Sequence, residues 1–368
     1  MTNQYLTIKQ LTDKVGNGLT PRMVRYYHQT GLLPEAERSP SNYRLYTESH
    51  VQQLKTIVAL KQQGFQLEHI RNLLATKTFP PANDTLIPQL QQQYRTVIEQ
   101  IAKLRQTASA LEGLLGRDHL CQSVREKAIA KLTLTETATF WDTLDTATLS
   151  HPESFTESLK LLLPDLSERS EIEVDLLAQL VLACGDLSLV NFIQVSSGAI
   201  AAAREALKSG CQVIGDVPAI VAACDRPRLV HLGCQLTTLI DNPHLTNAAE
   251  AEQEFWHSLS LHKNLRQLSS GCILVIGYAP SVLIAVCRAI ADSLIHPALI
   301  IGMPIGFSHA PAAKRLLIRS GIPFITITGS FGGGLLAATT LNSLAQSLIE
   351  KPDCHCYLSK GSSKDSSF

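Results

Sequence analysis

Aromatic residues are scarce, at 5% of the chain, and charged residues reach only 17%. With 45% hydrophobic residues, that balance excludes a charge-swollen disordered chain and describes an α-rich or α/β protein. The opening MTNQYLTIKQ lacks the apolar segment of a secretory signal, so a cytoplasmic protein is expected. Membrane spans are not expected either. The 16 uncharged residues from Cys272 to Cys287 are broken after five apolar positions by Gly277-Tyr278-Ala279-Pro280, which reads as strand, turn and buried helix. No P-loop and no GxGxxG within one unit is present, which weighs against a nucleotide ligand. Disulfides are not expected in a reducing compartment. Of nine cysteines, seven stand singly, mostly among apolar neighbours, and only Cys354 and Cys356 are clustered.

Net charge is zero but unevenly spread: residues 1–78 carry ten Lys/Arg against five Asp/Glu, leaving 22 against 27 for the rest. A basic head on an acidic chain points to an anionic polymer at the head. At 368 residues the chain exceeds the roughly 250–300 that one core fills, so at least two domains are expected.

Thr7 to Gly16, TIKQLTDKVG, has a capping residue, an apolar face of Ile8, Leu11 and Val15, and a terminal Gly. After Gly16-Asn17-Gly18, the pair Thr20-Pro21 starts a second helix running to Gly31. Two short helices across a glycine turn make a helix-turn-helix. Arg22 and Arg25, followed by Tyr26 and Tyr27, stand where the second helix meets a major groove. Arg38, Tyr43, Arg44 and Tyr46 fall in RSPSNYRLY, which fits a β-wing lying on phosphates. A further helix pair, Val51 to Lys61 and Leu67 to Leu74, follows. With TPRMVRYYHQTGLLP, NYRLY and KQQGFQLEHIRNLL, residues 7–74 closely resemble the MerR family of transcriptional regulators.

From Leu86 to Leu115, the positions Leu90, Tyr94, Val97, Ile101, Leu104, Ala108, Leu111 and Leu115 alternate at spacings of four and three. A sustained 3.5-residue period is a coiled-coil seam. The resemblance implies an antiparallel coiled coil here, a homodimer through residues 86–116, and a partner in double-stranded promoter DNA that the dimer bends and untwists for RNA polymerase.

Residues 117–165 read as a linker with peripheral helices. Beyond them, apolar β-rich runs (Cys211–Ile214, Cys272–Gly277, Ala298–Ile301, Phe324–Thr328) alternate with alanine-rich helical ones (Ala199–Ser209, Pro280–Ile290, Leu335–Leu348). That alternation predicts a mostly parallel sheet with helices on both faces. The fold class expected is therefore multi-domain: an α-helical winged helix-turn-helix over residues 1–78, a coiled-coil dimerisation helix, then an α/β domain over 166–348 and a tail over 349–368.

Three glycine-bearing turns close the predicted strands and form the crevice of an open α/β sheet. They nominate Gly277, Pro280, Ser281, Gly302, Pro304, Gly306, His309, Gly332 and Gly333 as the bed of a polyanionic ligand. VLACGD, AREALKSGCQVIGDVPAIV, VIGYAPSVL, IIGMPIGF and GSFGGG with ATTLNSLA resemble the precorrin-8X methylmutase (precorrin isomerase) family over roughly 180–346. The resemblance implies a carboxylate-rich tetrapyrrole ligand and a histidine acid preceding Ala-Cys-Gly. Here that position is Leu182, ahead of Ala183-Cys184-Gly185. Leucine has no proton to give, and loss of a general acid costs roughly 10²- to 10⁴-fold in rate, so no enzyme activity is expected. The family's Thr-Arg-Ser stretch also has no counterpart, the corresponding region reading AEQEFWHSL. His309 is either an ordinary loop histidine or an axial ligand to a corrinoid's cobalt.

Cys354, His355 and Cys356 bring two soft ligands and an imidazole to the tail, too few to close a tetrahedral site. Fusion of a MerR-type head to a corrin-pathway body looks most like a cobalt-responsive activator of a cobalt-export gene. The effector is expected to be cobalt ion, a hydrogenobyrinic-acid-type corrin, or cobalamin. A tetrapyrrole sensor without direct metal sensing, and an active methylmutase with a regulatory head, remain open at this point.

Overall fold

The computed structural model describes residues 5–62, 64–75, 83–115, 152–257, 264–265 and 267–352. The chain divides into two compact units, 1–114 and 115–368, each built around its own core.

In the first unit, Thr7 caps α1 (Ile8–Val15) through a reciprocal box with Gln10. Thr20 accepts from the Met23 N–H and Pro21 takes the first position of α2 (Pro21–Gln29). Both start signals satisfy orphan N–H groups without tertiary help, which is why they can be read locally. Strands β1 (Glu37–Arg38) and β2 (Arg44–Leu45) pair antiparallel as a short wing, turned by Asn42 at φ 63°. Helices α3 (Glu48–Gln62) and α4 (Leu67–Ala75) follow. Leu11, Val24, Tyr27, Leu32, Tyr46, Leu54 and Ile57 form the core of this unit. Helix α5 (Asn83–Leu115) then runs as a single long element.

The second unit holds a six-stranded sheet. Its helices are α6 (Phe155–Leu162), α7 (Glu171–Cys184), α8 (Ala199–Lys208), α9 (Pro218–Ala223), α10 (Arg226–His231), α11 (Ala248–His257), α12 (Pro280–Ala291), α13 (His309–Ile318) and α14 (Gly334–Glu350). Its strands are β3 (Ile193–Val195), β4 (Gln212–Gly215), β5 (Gln235–Thr238), β6 (Ile273–Ile276), β7 (Leu299–Gly302) and β8 (Phe324–Ile327), in spatial order β3-β8-β7-β6-β4-β5. Every pairing is parallel except β3 with β8.

Strands β6, β7 and β8 are buried throughout, as parallel strands covered on both faces must be. Their alternate residues feed two cores. Val213, Ile273, Val275, Leu299, Ile301 and Ile325 pack with α7, α8 and α14. On the other face, Ile214, Leu274, Ile276 and Ile300 pack with α12 and α13. Leu159 and Leu163, which sequence assigns to a linker, pack against the first of these cores, so the body reaches back at least to α6. Among the described residues, no helix is long and apolar enough to cross a membrane.

Candidate functional site

On the head, α2 turns Val24 and Tyr27 inward at a spacing of three while Arg22, Arg25 and Tyr26 face solvent. The wing exposes Arg38, Tyr43 and Arg44, and Arg38 Nη1 donates to Asn42 Oδ1 at 2.7 Å across the turn. The head therefore exposes cations on both α2 and the hairpin. Two expected DNA contacts are corrected. Tyr27 and Tyr46 are 1% and 0% exposed, and their hydroxyls are sealed from solvent. Tyr46 is instead a core plate: its ring lies 5.8 Å from His28 and 5.6 Å from His50, and its backbone pairs with Leu6. Burial pushes both tyrosines up and both histidines down in pKa.

In the body, the three glycine turns follow β6, β7 and β8 and close on one another through main chain. Gly333 N–H donates to Met303 O at 2.8 Å, and Met303 N–H to Ile276 O at 2.7 Å. A Cβ on Gly277 would lie 2.7 Å from Gly334 Cα, one on Gly334 would strike the Tyr278 ring, and one on Gly332 would strike Met303 O. Glycine is required here by close approach, not by turn shape alone.

Beneath the first turn lies a residue that sequence reading passed over. Asp216, fully buried after β4, accepts from the N–H groups of Gly277 (3.2 Å), Tyr278 (2.7 Å) and Ala279 (3.0 Å) through Oδ2, and from Val217 (3.0 Å) through Oδ1. Burial raises its pKa to about 6 against the pull of those four donors. Under the last turn, buried Lys314 donates from Nζ to Gly329 O at 3.1 Å and to Phe331 O. Among the described residues no carboxylate pairs with it, and burial lowers its pKa to about 8.

The nine nominated ligand residues do not share one role. Gly277, Pro280, Ser281, Gly302 and Pro304 are buried, so they shape the wall beneath the turns. Ser281 gives its N–H to Glu252 Oε2 at 3.1 Å and its hydroxyl to Glu252 Oε1. The positive end of α12 is thus filled by the protein's own carboxylate, which corrects its reading as an anion site. Gly306, His309, Gly332 and Gly333 do reach solvent, with His309 Nδ1 3.0 Å from Ser308 Oγ. Around them stand exposed apolar side chains that sequence reading missed: Ile305, Phe307 at 91% exposure, Phe331 and Leu335. Their signal was available, since large apolar residues inside glycine turns have no core to join.

Leu182 is half exposed near the end of α7 and lines a cavity of about 470 Å³ with Phe155, Leu159, Asp175, Gln346 and Lys351; none of the nine turn residues lines it. Cys354, His355 and Cys356 lie outside the described residues.

A wing and recognition helix with an exposed arginine face, followed in the chain by an open α/β sheet crested with glycine turns, define a DNA-binding head fused to an enzyme-like body. The precorrin-8X methylmutase family model matches residues 154–347, and that of the MerR HTH family regulatory proteins matches residues 6–77. The chain belongs to the precorrin-8X methylmutase family and carries a MerR-type helix-turn-helix domain at its N-terminal end.

It is 33% identical over 184 residues to a precorrin-8X methylmutase of Sinorhizobium sp, covering 50% of this chain and 87% of that one. It is 31% identical over 100 residues to the heavy metal-dependent transcription regulator 1 of Rhizobium meliloti (strain 1021), covering 27% and 64%. A solved precorrin-8X methylmutase from Thermus thermophilus aligns at 27% identity with a TM-score of 0.46, over 54% of this chain and 96% of that one.

Proposed function

We propose that this chain is a dimeric transcriptional activator whose methylmutase-like body has become the receptor for cobalt or for a corrinoid, and which switches on a cobalt-export gene. One observation carries the reading: exposed Arg22, Arg25 and Arg44 on a MerR-type head stand in the same chain as a methylmutase-type body with Leu182 ahead of Ala183-Cys184-Gly185. The printed name of the Rhizobium meliloti relative links a MerR-like protein to heavy metals.

Dimerisation would run through α5, where Tyr94, Val97, Ile101, Leu104, Leu111 and Leu115 are exposed along one seven-residue repeat and would be covered by a second copy. Two linked recognition helices can then grip a two-fold operator and distort a promoter whose elements are too far apart for RNA polymerase.

For the effector, the exposed Phe307 and Phe331 offer apolar plates. That chemistry fits the rim of a hydrogenobyrinic-acid-type corrin or cobalamin. Cys354, His355 and Cys356 are the donors that would hold cobalt. The same donors suit zinc, which binds more tightly in the usual order, so selectivity for cobalt has to come from coordination number and geometry.

The test is transcription in vitro from a long-spacer promoter with Co²⁺, Zn²⁺ and a corrin intermediate added in turn. Activation by Co²⁺ that vanishes in the Cys354→Ser, Cys356→Ser double variant supports direct metal sensing. An unchanged cobalt response in that variant removes the tail from the mechanism. Activation by the corrin alone supports tetrapyrrole sensing without metal. The intact glycine turns favour one second reading, an active methylmutase under a regulatory head. Methyl migration catalysed by the wild-type chain, and not merely by a Leu182→His variant, would establish it.

A further inference from the structure

Two cysteines that stand 23 positions apart are carried to the same place by two copies of one turn. Helix α8 ends at Lys208 and α10 at His231; each continues through one residue, a left-handed glycine and a cysteine into a strand. Gly210 (φ 72°) and Gly233 (φ 77°) donate their N–H groups to carbonyls three residues back, Leu207 and Val230. Cys211 and Cys234 donate theirs five back, to Ala206 and Leu229. This is the glycine C-cap that ends a helix and redirects the chain.

The strands that follow are parallel neighbours starting in register, Gln212 beside Gln235. The turns touch: a Cβ on Gly210 would sit 3.1 Å from Gly233 O, and Gln235 N–H donates to Cys211 O at 3.3 Å. Residues paired in register on neighbouring strands project to the same face, so the two cysteines, each one position before the first registered pair, lie on the same side of the sheet. Neither is in a disulfide; Cys234 is buried and Cys211 half-buried.

We propose that Cys211 and Cys234 form a redox site, a dithiol that a hydroperoxide closes to an intrachain disulfide. The neighbouring Cys211 thiol lowers the pKa of Cys234 and keeps its own proton, while the Cys234 sulfur stands 3.6 Å from Leu207 O. The Cys234 thiolate attacks one peroxide oxygen. An S–O bond forms, the O–O bond breaks, and the departing hydroxide takes the Cys211 proton to leave as water. The Cys211 thiolate then displaces hydroxide from the Cys234 sulfenic acid, forming the S–S bond. With one solvent proton that hydroxide leaves as a second water. The two sulfurs lose two electrons and the peroxide gains them. A dithiol reductant reverses the change by exchange.

The experiment treats the full chain with hydrogen peroxide, alkylates the remaining thiols and maps peptides by mass spectrometry. A linked Cys211–Cys234 peptide, two mass units lighter than its reduced parts, should form roughly tenfold or more faster in the folded chain than in urea, because the fold holds the sulfurs together. Dithiothreitol should abolish it. In Cys211→Ser, checked as folded by circular dichroism, Cys234 should instead be trapped as a sulfenic acid by dimedone. The proposal fails if both thiols stay open to alkylation after peroxide. It also fails if they pair with other cysteines as readily as with each other, or if urea leaves the closure rate unchanged.

Discussion

Arg204 and Ser347 meet twice. From α8, Arg204 Nη1 lies 2.9 Å from both the carbonyl oxygen and the hydroxyl of Ser347 on α14, while Nη2 reaches the carbonyls of Lys351 (2.9 Å) and Pro352 (3.2 Å). A buried guanidinium thus joins the Lys351 N–H at Ser347 O and satisfies the carbonyls of Lys351 and Pro352 just beyond α14. Arg204→Met should cost about 2 to 4 kcal/mol in urea unfolding, since it strips several charge-assisted bonds from the end of α14. Arg204→Lys should recover only part of that, having no fork to span Ser347 and Lys351.

Asp216 should impose a pH dependence of unusual sign. Its folded pKa of about 6 stands above the ordinary carboxylate range. The stability it contributes is fully present below the unfolded value near 4 and is lost as pH rises through 6. The difference between wild type and Asp216→Asn in urea unfolding should therefore shrink by about 2 to 3 kcal/mol from pH 4 to pH 7. A gap that widened over that range would contradict the burial argument.

On the head, the buried and exposed residues should separate cleanly in operator titrations. Arg25→Ala should weaken binding by about 1 to 3 kcal/mol if it reads a base, and Arg44→Ala should reduce the salt slope by about one if it holds a phosphate. Tyr46→Phe, which removes a hydroxyl with no hydrogen-bond partner among the described residues, should leave binding unchanged and stability equal or slightly higher. Loss of operator binding in Tyr46→Phe would restore that residue to the interface.

The α5 stripe gives a prediction about assembly. Leu104 is 69% exposed in the single chain. If a second copy covers it, Leu104→Glu should place a charge in an apolar seam and shift sedimentation from dimer toward monomer. The matching change at an off-stripe position of the same helix, Gln106→Glu, should leave the dimer intact.

What was legible in the sequence was local. Caps, glycine turns and apolar runs fix α1, α2, the wing and the four central strands, because each signal acts within a few residues. The edges were not legible: β3 has only three residues and runs against its neighbour, and β5, QLTT, has one apolar residue in four. Tyr27 could have been placed correctly, since it follows Val24 at helical spacing on the inward face. Glu252 at Ser281, Asp216 under the loop after β6, and Cys211 beside Cys234 join positions 23 to 62 residues apart. Only strand order brings them together, and no short window of sequence contains strand order.

The meeting of Gly277 with Gly334 has a consequence for how this protein could change. Where two loops touch through bare backbone, mutation has no side chains there to trim or enlarge. The crest can therefore keep its outline while side chains elsewhere drift. A mould cast in main chain can outlast the chemistry it was cast for.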